Sequence, residues 1–168
     1  GNPKWKITER SAKLIYKYES INNMPAKLKI EINTTEHFQV LPLKTVPFTV
    51  ASDWYNGVSN IITYELDELM ATKLRALYQR RKGRDLFDLW FVVQNNLINV
   101  DRVFEIFKKY CANDNYHFSR DEFLKNLELK RHHQAFQSDM HALLPVGLNW
   151  NFDEAYQFVV ANLISKLP

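Results

Sequence analysis

The sequence predicts an α+β fold, a small antiparallel sheet followed by a mostly helical second half. Two patterns carry this reading. Apolar residues alternate with lysines at period two in the first third, and they recur at helical spacing from residue 65 onward. Composition and length agree: 168 residues, 46% apolar, 14% aromatic and 24% charged, suit a folded protein able to bury a full core. A strand-rich part is expected over 1–64 and a helical part over 65–168, together making one compact unit.

The elements follow in order. Over Ala12–Tyr18, Leu14, Tyr16 and Tyr18 face one way and Lys13, Ile15 and Lys17 the other. Asn22–Asn23 and Pro25 mark a turn. Lys27–Asn33 alternates again, with Leu28, Ile30 and Ile32 opposite Lys27, Lys29, Glu31 and Asn33, so the two segments should pair as a hairpin. Thr45–Ala51 and Val58–Tyr64 are weaker strand signals, with Asn56–Gly57 as the turn between them. Leu66, Leu69, Met70, Leu74, Leu77 and Tyr78 then form one helical stripe. Its first-turn acids, Glu65, Asp67 and Glu68, complement the helix dipole, and Gly83 can end it. A second helix is expected from about Asp85 to Gln94, stopped by Asn95–Asn96. A third carries Val100, Val103, Phe104, Phe107, Tyr110 and Cys111. Ser119 and Glu122 open a fourth as a capping box. A short fifth holds Phe136, Met140 and Leu143 before Pro145, and the last starts near Asn151–Asp153.

Several function classes drop out. The formal net charge of +3 is too small to argue for nucleic acid by itself. The single cysteine allows no intrachain disulfide and favours a cytoplasmic setting. No apolar run approaches the roughly 18 residues of a spanning helix, so no membrane partner is expected. There is no P-loop and no dinucleotide fingerprint, because Gly83 stands isolated. Adjacent His132–His133 point about 100° apart on a helix and read as a solvated basic helix end. Cys111 lies on an apolar stripe and has little support as a nucleophile.

The densest chemistry lies in residues 73–90, KLRALYQRRKGRDLFDLW, where six of the twelve residues from Lys73 to Arg84 are basic. Lys73 falls on the apolar stripe, so it either snorkels or meets an anion at the stripe's edge. Asp85 and Asp88 share a helix face, three residues apart. Asp85 could be an N-cap, and Arg81 and Arg84 stand four residues before the two acids, at ion-pair spacing. Glu31, on the polar face of a strand, could hold a divalent cation, or be solvated or paired with Lys29 or a cross-strand lysine. Taken together, the lysine, the arginines and the acids suggest phosphate chemistry, with an aspartate positioning or deprotonating a hydroxyl.

These residues carry a family resemblance. Lys73 with RRKGRDLFDLW resembles the third motif of the AbiEii/AbiGii toxins, nucleotidyltransferase-like proteins of abortive-infection and toxin–antitoxin systems. LKIEIN at Leu28–Asn33 resembles the second motif, a strand with an acidic residue. DMHALLPVGLNWNFDEAYQFV at Asp139–Val159 is similar to the C-terminal helices, so the likeness runs from about Trp5 to the end. The resemblance implies Glu31 as a metal-binding carboxylate for Mg²⁺ and Lys73 as a contact to NTP phosphates. It implies Asp85 or Asp88 as the essential acid, with Arg84 in support, and Arg81 and Arg84 as substrate-binding groups. The implied reaction moves a nucleotide from an NTP to an RNA acceptor of the tRNA class, and the implied protein partner is a cognate antitoxin.

The family's first motif is missing. It is a Gly-Gly/Ser turn before paired aspartates that supplies two of three metal ligands, and none of Gly1, Gly57, Gly83 and Gly147 sits in such a turn. A two-metal mechanism needs those ligands. The chain therefore reads as the C-terminal portion of a longer protein, inactive by itself. Two rival readings remain: a non-catalytic module that docks RNA through Lys73–Arg84, and a scaffold in which Arg81–Asp85 and Arg84–Asp88 pin two helices together.

Overall fold

A computed structural model describes residues 2–117, 119–144 and 146–167. Among the described residues the fold is α+β, with two small antiparallel sheets and six α-helices. The chain divides into two compact units, Gly1–Gln39 and Val40–Pro168. The change from strands to helices comes later, after residue 63.

The first unit is a three-stranded meander: β1 (Lys4–Thr8), β2 (Ser11–Glu19) and β3 (Pro25–Asn33). The alternation in β2 and β3 sets the register, with Leu14 opposite Ile30 and Lys13 opposite Glu31. β1 is an edge strand beyond the expected hairpin, and places Trp5 opposite Leu14 and Lys6 opposite Lys13. The turn into β3 uses Asn23 at φ 55°, a conformation that asparagine tolerates. No described residue of this unit is fully buried, and Trp5, Ile7, Leu28, Ile30 and Ile32 are all exposed on one face.

The second unit opens with β4 (Lys44–Ala51) and β5 (Asn56–Thr63), paired antiparallel from Lys44↔Thr63 to Ala51↔Asn56. Asn56–Gly57, expected as the turn, belong to β5. The reversal is made upstream, where the Ser52 hydroxyl accepts from the amides of Trp54 and Tyr55. Six helices follow: α1 (Leu66–Gln79), α2 (Gly83–Gln94), α3 (Val100–Asn113), α4 (Arg120–Arg131), α5 (Gln134–Gln137) and α6 (Phe152–Asn162). Their stripes meet in one core built from Leu74, Leu77, Leu86, Leu89, Phe123 and Val159, among others. α1 packs against α2 and α3, and α6 covers α2. Asn99, Ser119 and Asn151 cap α3, α4 and α6, and Ser119 with Glu122 forms the expected capping box. Of the expected fifth helix only four residues are helical, and Leu143 is exposed. The stop expected at Pro145 lies outside the described residues. No helix among the described residues is long and apolar enough to cross a membrane.

Two of the buried charges among the described residues of this unit, Glu68 and Lys130, bind backbone groups. Glu68 has no exposed surface, and it does more than complement the α1 dipole. It accepts from the amides of Val40 at 2.6 Å and Leu41 at 2.8 Å and from the Tyr110 hydroxyl at 2.8 Å. A buried carboxylate satisfied three times ties the chain entering β4 to α1 and α3. Lys130, at the end of α4, donates to the carbonyls of Leu77 and Tyr78. Those are last-turn carbonyls of α1, which have no partner within the helix. The cation thus serves as a C-terminal cap supplied from another helix.

Gly83 begins α2 rather than ending α1. α1 ends at Gln79, and the next residue, Arg80, is extended, with φ −127° and ψ 169°. A Cβ on Gly83 would run into the backbone carbonyl oxygen of Phe136, so the start of α2 lies flush against α5. Gly83→Ala is therefore expected to destabilise the protein by about 1–3 kcal/mol, measured as a lowered denaturant midpoint at unchanged slope.

Burial pushes the Lys130 amine down to about 8, from the usual 10.5. Between those values the unfolded chain binds more protons than the folded one, so stability from this residue grows as pH rises across the window. Urea titrations of wild type and Lys130→Met at about pH 7 and about pH 9.5 should show the difference shifting in favour of wild type at the higher pH.

Candidate functional site

The end of α1, the linker 80–82 and the start of α2 bring together four charges. Lys73 projects from α1, in the half nearer its end. Arg80 follows the last helical residue. Asp85 and Asp88 stand one turn apart on α2, as their spacing required. The Lys73 ammonium is 2.7 Å from Asp88 Oδ2 and 3.6 Å from Asp85 Oδ1. Arg80 grips Asp85 with both arms of its fork, Nε to Oδ2 at 2.7 Å and Nη2 to Oδ1 at 2.8 Å. A two-armed guanidinium–carboxylate contact of this kind is the most directional ion pair available to side chains.

The two acids differ in access. Asp85 has no exposed surface, whereas a third of the Asp88 side chain and a quarter of the Lys73 side chain reach solvent. Asp85 is not an N-cap. The cap position of α2 is Lys82, and Asp85 falls in the first turn, where its charge also favours the helix dipole. The four inner charges balance. The excess positive charge lies on the rim, where Arg81, Lys82 and Arg84 are exposed.

Each rim group has a partner, and none is the one expected. Arg84 donates to Asp139 through both its backbone amide, at 3.1 Å, and its side-chain Nε, at 3.2 Å. Lys82 stands 3.9 Å from the other oxygen of Asp139. Arg81 Nη1 meets His133 Nδ1 at 3.2 Å. The expected Arg81–Asp85 and Arg84–Asp88 pairs do not form. Arg81 lies before α2, with the extended backbone at Lys82 between it and Asp85, so the two are not one helical turn apart. Arg84 and Asp88 do share α2, but Arg84 is taken by Asp139 and Asp88 by Lys73. Arg80 and Asp139 are participants that residue spacing did not reveal. Arg80 hides as the first of two adjacent arginines, and Asp139 is fifty-odd residues away in sequence.

An aromatic group flanks Asp88. Phe87, Trp90 and Trp150 meet at centroid separations of 5.0 to 5.6 Å, with Trp150 edge-on to the other two, and Phe87 stacks on Phe91. The tryptophans are scattered in sequence, and the packing of the segment before α6 beside α2 brings two of them together. Cys111 is buried on α3, and its burial pushes the thiol up to about 11, far from nucleophilic poise.

Glu31 belongs to the first unit. Its oxygens are held by Lys13 across the strand at 2.6 Å and by Lys29 at 2.9 Å, on the same face of β3. Those two lysines, Lys13 first, keep its carboxyl below the usual range. Among the described residues, no group of three or more His, Cys, Asp or Glu side chains is placed to hold a metal ion. The donor set present does not fit a Mg²⁺ centre, which prefers near-octahedral oxygen ligands.

The difference between the acids can be tested on stability. Asp85→Asn leaves Arg80 and Lys73 without their buried counter-ion and is expected to cost about 3 kcal/mol. Asp88→Asn breaks a half-exposed pair and is expected to cost under about 1 kcal/mol. Chemical denaturation of both variants measures the split, and equal losses would contradict it.

The family model described as "Nucleotidyl transferase AbiEii toxin, Type IV TA system" matches residues 2–158, spanning both units and the whole Lys73–Trp90 segment. No curated protein and no solved structure matches the chain. The match covers nearly the full length, so the chain belongs to the AbiEii nucleotidyl transferase toxin family of type IV toxin–antitoxin systems.

Proposed function

We propose that the α1–α2 junction is the triphosphate-binding half of a nucleotidyl transfer site. In this reading the protein moves a nucleotide from an NTP to an RNA acceptor of the tRNA class, and as a toxin it answers to a cognate antitoxin. The observation that carries the reading is the unequal pair of acids. A fully buried carboxylate, Asp85, holds Arg80 and stands 3.6 Å from Lys73, while the side chains of Lys73 and Asp88 are only partly buried. Rigid support behind an accessible cation and base is what positional catalysis needs.

The division of labour follows from that geometry. Asp85 is a positioning residue. Lys73, with Arg81 and Arg84 on the rim, offers positive charge to the phosphates. Asp88 is the base for the attacking hydroxyl. In the resting protein its carboxylate is paired with Lys73. A triphosphate competes for that lysine and leaves Asp88 free to accept a proton. Mg²⁺ enters this reading as the ion of the intact protein, with Glu31 as one prospective ligand. Glu31 would have to exchange its two lysines for the ion, and further ligands would have to come from groups the described residues do not assemble. This chain alone is therefore expected to be inactive.

Lys73→Ala and Asp88→Asn, introduced in the intact protein, are each expected to abolish toxicity in cells at nearly unchanged thermal midpoint. Full toxicity of either variant would remove the site assignment. Incubation of this chain with labelled NTPs, Mg²⁺ and bulk tRNA should give no transfer of label.

A further inference from the structure

We propose that the polar face of the three-stranded sheet in the first unit is a docking surface for the sugar–phosphate backbone of RNA. The register places six lysines on one side of it. Lys4 lines up with Ile15 and Lys29, Lys6 with Lys13 and Glu31, and Lys17 with Lys27. All are exposed except Lys13, which is half-buried. Trp5, Ile7, Leu14, Leu28, Ile30 and Ile32 point the other way.

The charge on this face is unbalanced. Glu31 is its one central acid, and Glu19 closes its far end. Among the described residues only Lys13 and Lys29 of the six find a carboxylate. Lys6 faces Lys13 directly, and Lys17 faces Lys27 directly. Like charges opposed across a ladder weaken a sheet. The face therefore concentrates more positive charge than the whole chain carries as its net +3, in an arrangement that works against its own strand pairing. A polyanion laid across it relieves that repulsion and releases counterions.

The residue types select the class of polyanion. Lysine is depleted from protein–protein interfaces, and this face offers no tryptophan, tyrosine or arginine to anchor a protein partner. Ile15 is its one large apolar side chain, too little to enter a lipid surface. Lysines spaced along strands give point charges for phosphates without base readout. The choice of RNA rests on the nucleotidyltransferase reading, to whose acceptor this face gives a second contact, separate from Lys73–Arg84.

The test is a fluorescence-anisotropy titration of this chain with a short unstructured oligouridylate, from about 0.05 to 0.2 M salt. Changing Lys4, Lys6, Lys17 and Lys27 together to Gln should weaken binding at least about tenfold at the lowest salt. It should also flatten the slope of log affinity against log salt by roughly 3, near 0.7 for each phosphate no longer neutralised. Lys13 and Lys29 stay, to hold Glu31. The double variant Lys17→Gln/Lys27→Gln removes an opposed pair of like charges, so it keeps its fold and should show about half that flattening. Unchanged affinity and slope in both variants would overturn the proposal. So would abolition of binding in Arg81→Gln/Arg84→Gln alone, which would put the RNA contact on the other basic segment. Polyglutamate binding as tightly as oligouridylate, with the same sensitivity to the four lysines, would overturn the assignment to nucleic acid. If Lys73→Ala leaves toxicity intact while the four-lysine variant still fails to hold RNA, the nucleotidyl transfer reading fails and the surface stands.

Discussion

Asp85 is a carboxylate without access to water, held by the two arms of Arg80 and approached by Lys73. The local architecture of α1 and α2 depends on it. Desolvating one anion beside two cations is tolerable only when each hydrogen-bonding position is met, and the guanidinium fork meets two of them at once. The pairing spans the break between the helices, so it fixes the linker 80–82 as well as α2. Lys73 is shared between the buried acid and the half-exposed one. Its position is therefore set from inside the protein, while a quarter of its side chain reaches solvent.

Buried charge is used again, elsewhere in the same unit, at Glu68 and Lys130. Both are buried ions satisfied largely by backbone groups that secondary structure leaves unpaired: the amides of Val40 and Leu41, and the last carbonyls of α1. Each end of α1 is thus fastened by a charge. Gly83 adds a steric constraint, since α2 can lie against the Phe136 carbonyl only where no side chain intervenes. Lys73 and Asp88 consequently sit on two helices whose relative placement is fixed at several points.

Much of this was legible in the sequence, for identifiable reasons. Period-two alternation marked β2 and β3, since a strand with one polar face writes its register into its residues. Helical stripes, Ser119 with Glu122, and Asn151 marked helices and their starts. Lys73, Asp85 and Asp88 stood out as costly charges among apolar neighbours, and the structure brings these three together. Other features depended on where helices break. The four-residue spacing of Arg81 to Asp85 needs a helix that the extended backbone at Arg80 and Lys82 breaks, which makes Arg80 the partner instead. Arg84 and Asp88 share α2, but Asp139 and Lys73, which lie outside α2, claim them first. Gly83 signalled a boundary correctly in place but opposite in sense, because its reason is a close approach to α5 that no local pattern encodes. Asp139 and Glu68 act through groups many residues away, and β1 is a short edge strand whose own alternation, Trp5 and Ile7 against Lys4 and Lys6, was there to be read.

The first unit obeys different rules from the second. Its ladders are satisfied, yet none of its described residues is fully buried. A sheet without an interior has no void to open. Replacing Ile30 or Leu28 with a polar residue removes no packing partner of the kind that makes core substitutions costly. Natural variation at these positions would accordingly report on something other than folding. If Trp5, Ile7, Leu28, Ile30 and Ile32 stay apolar among close relatives, the selection holding them so acts from outside this sheet.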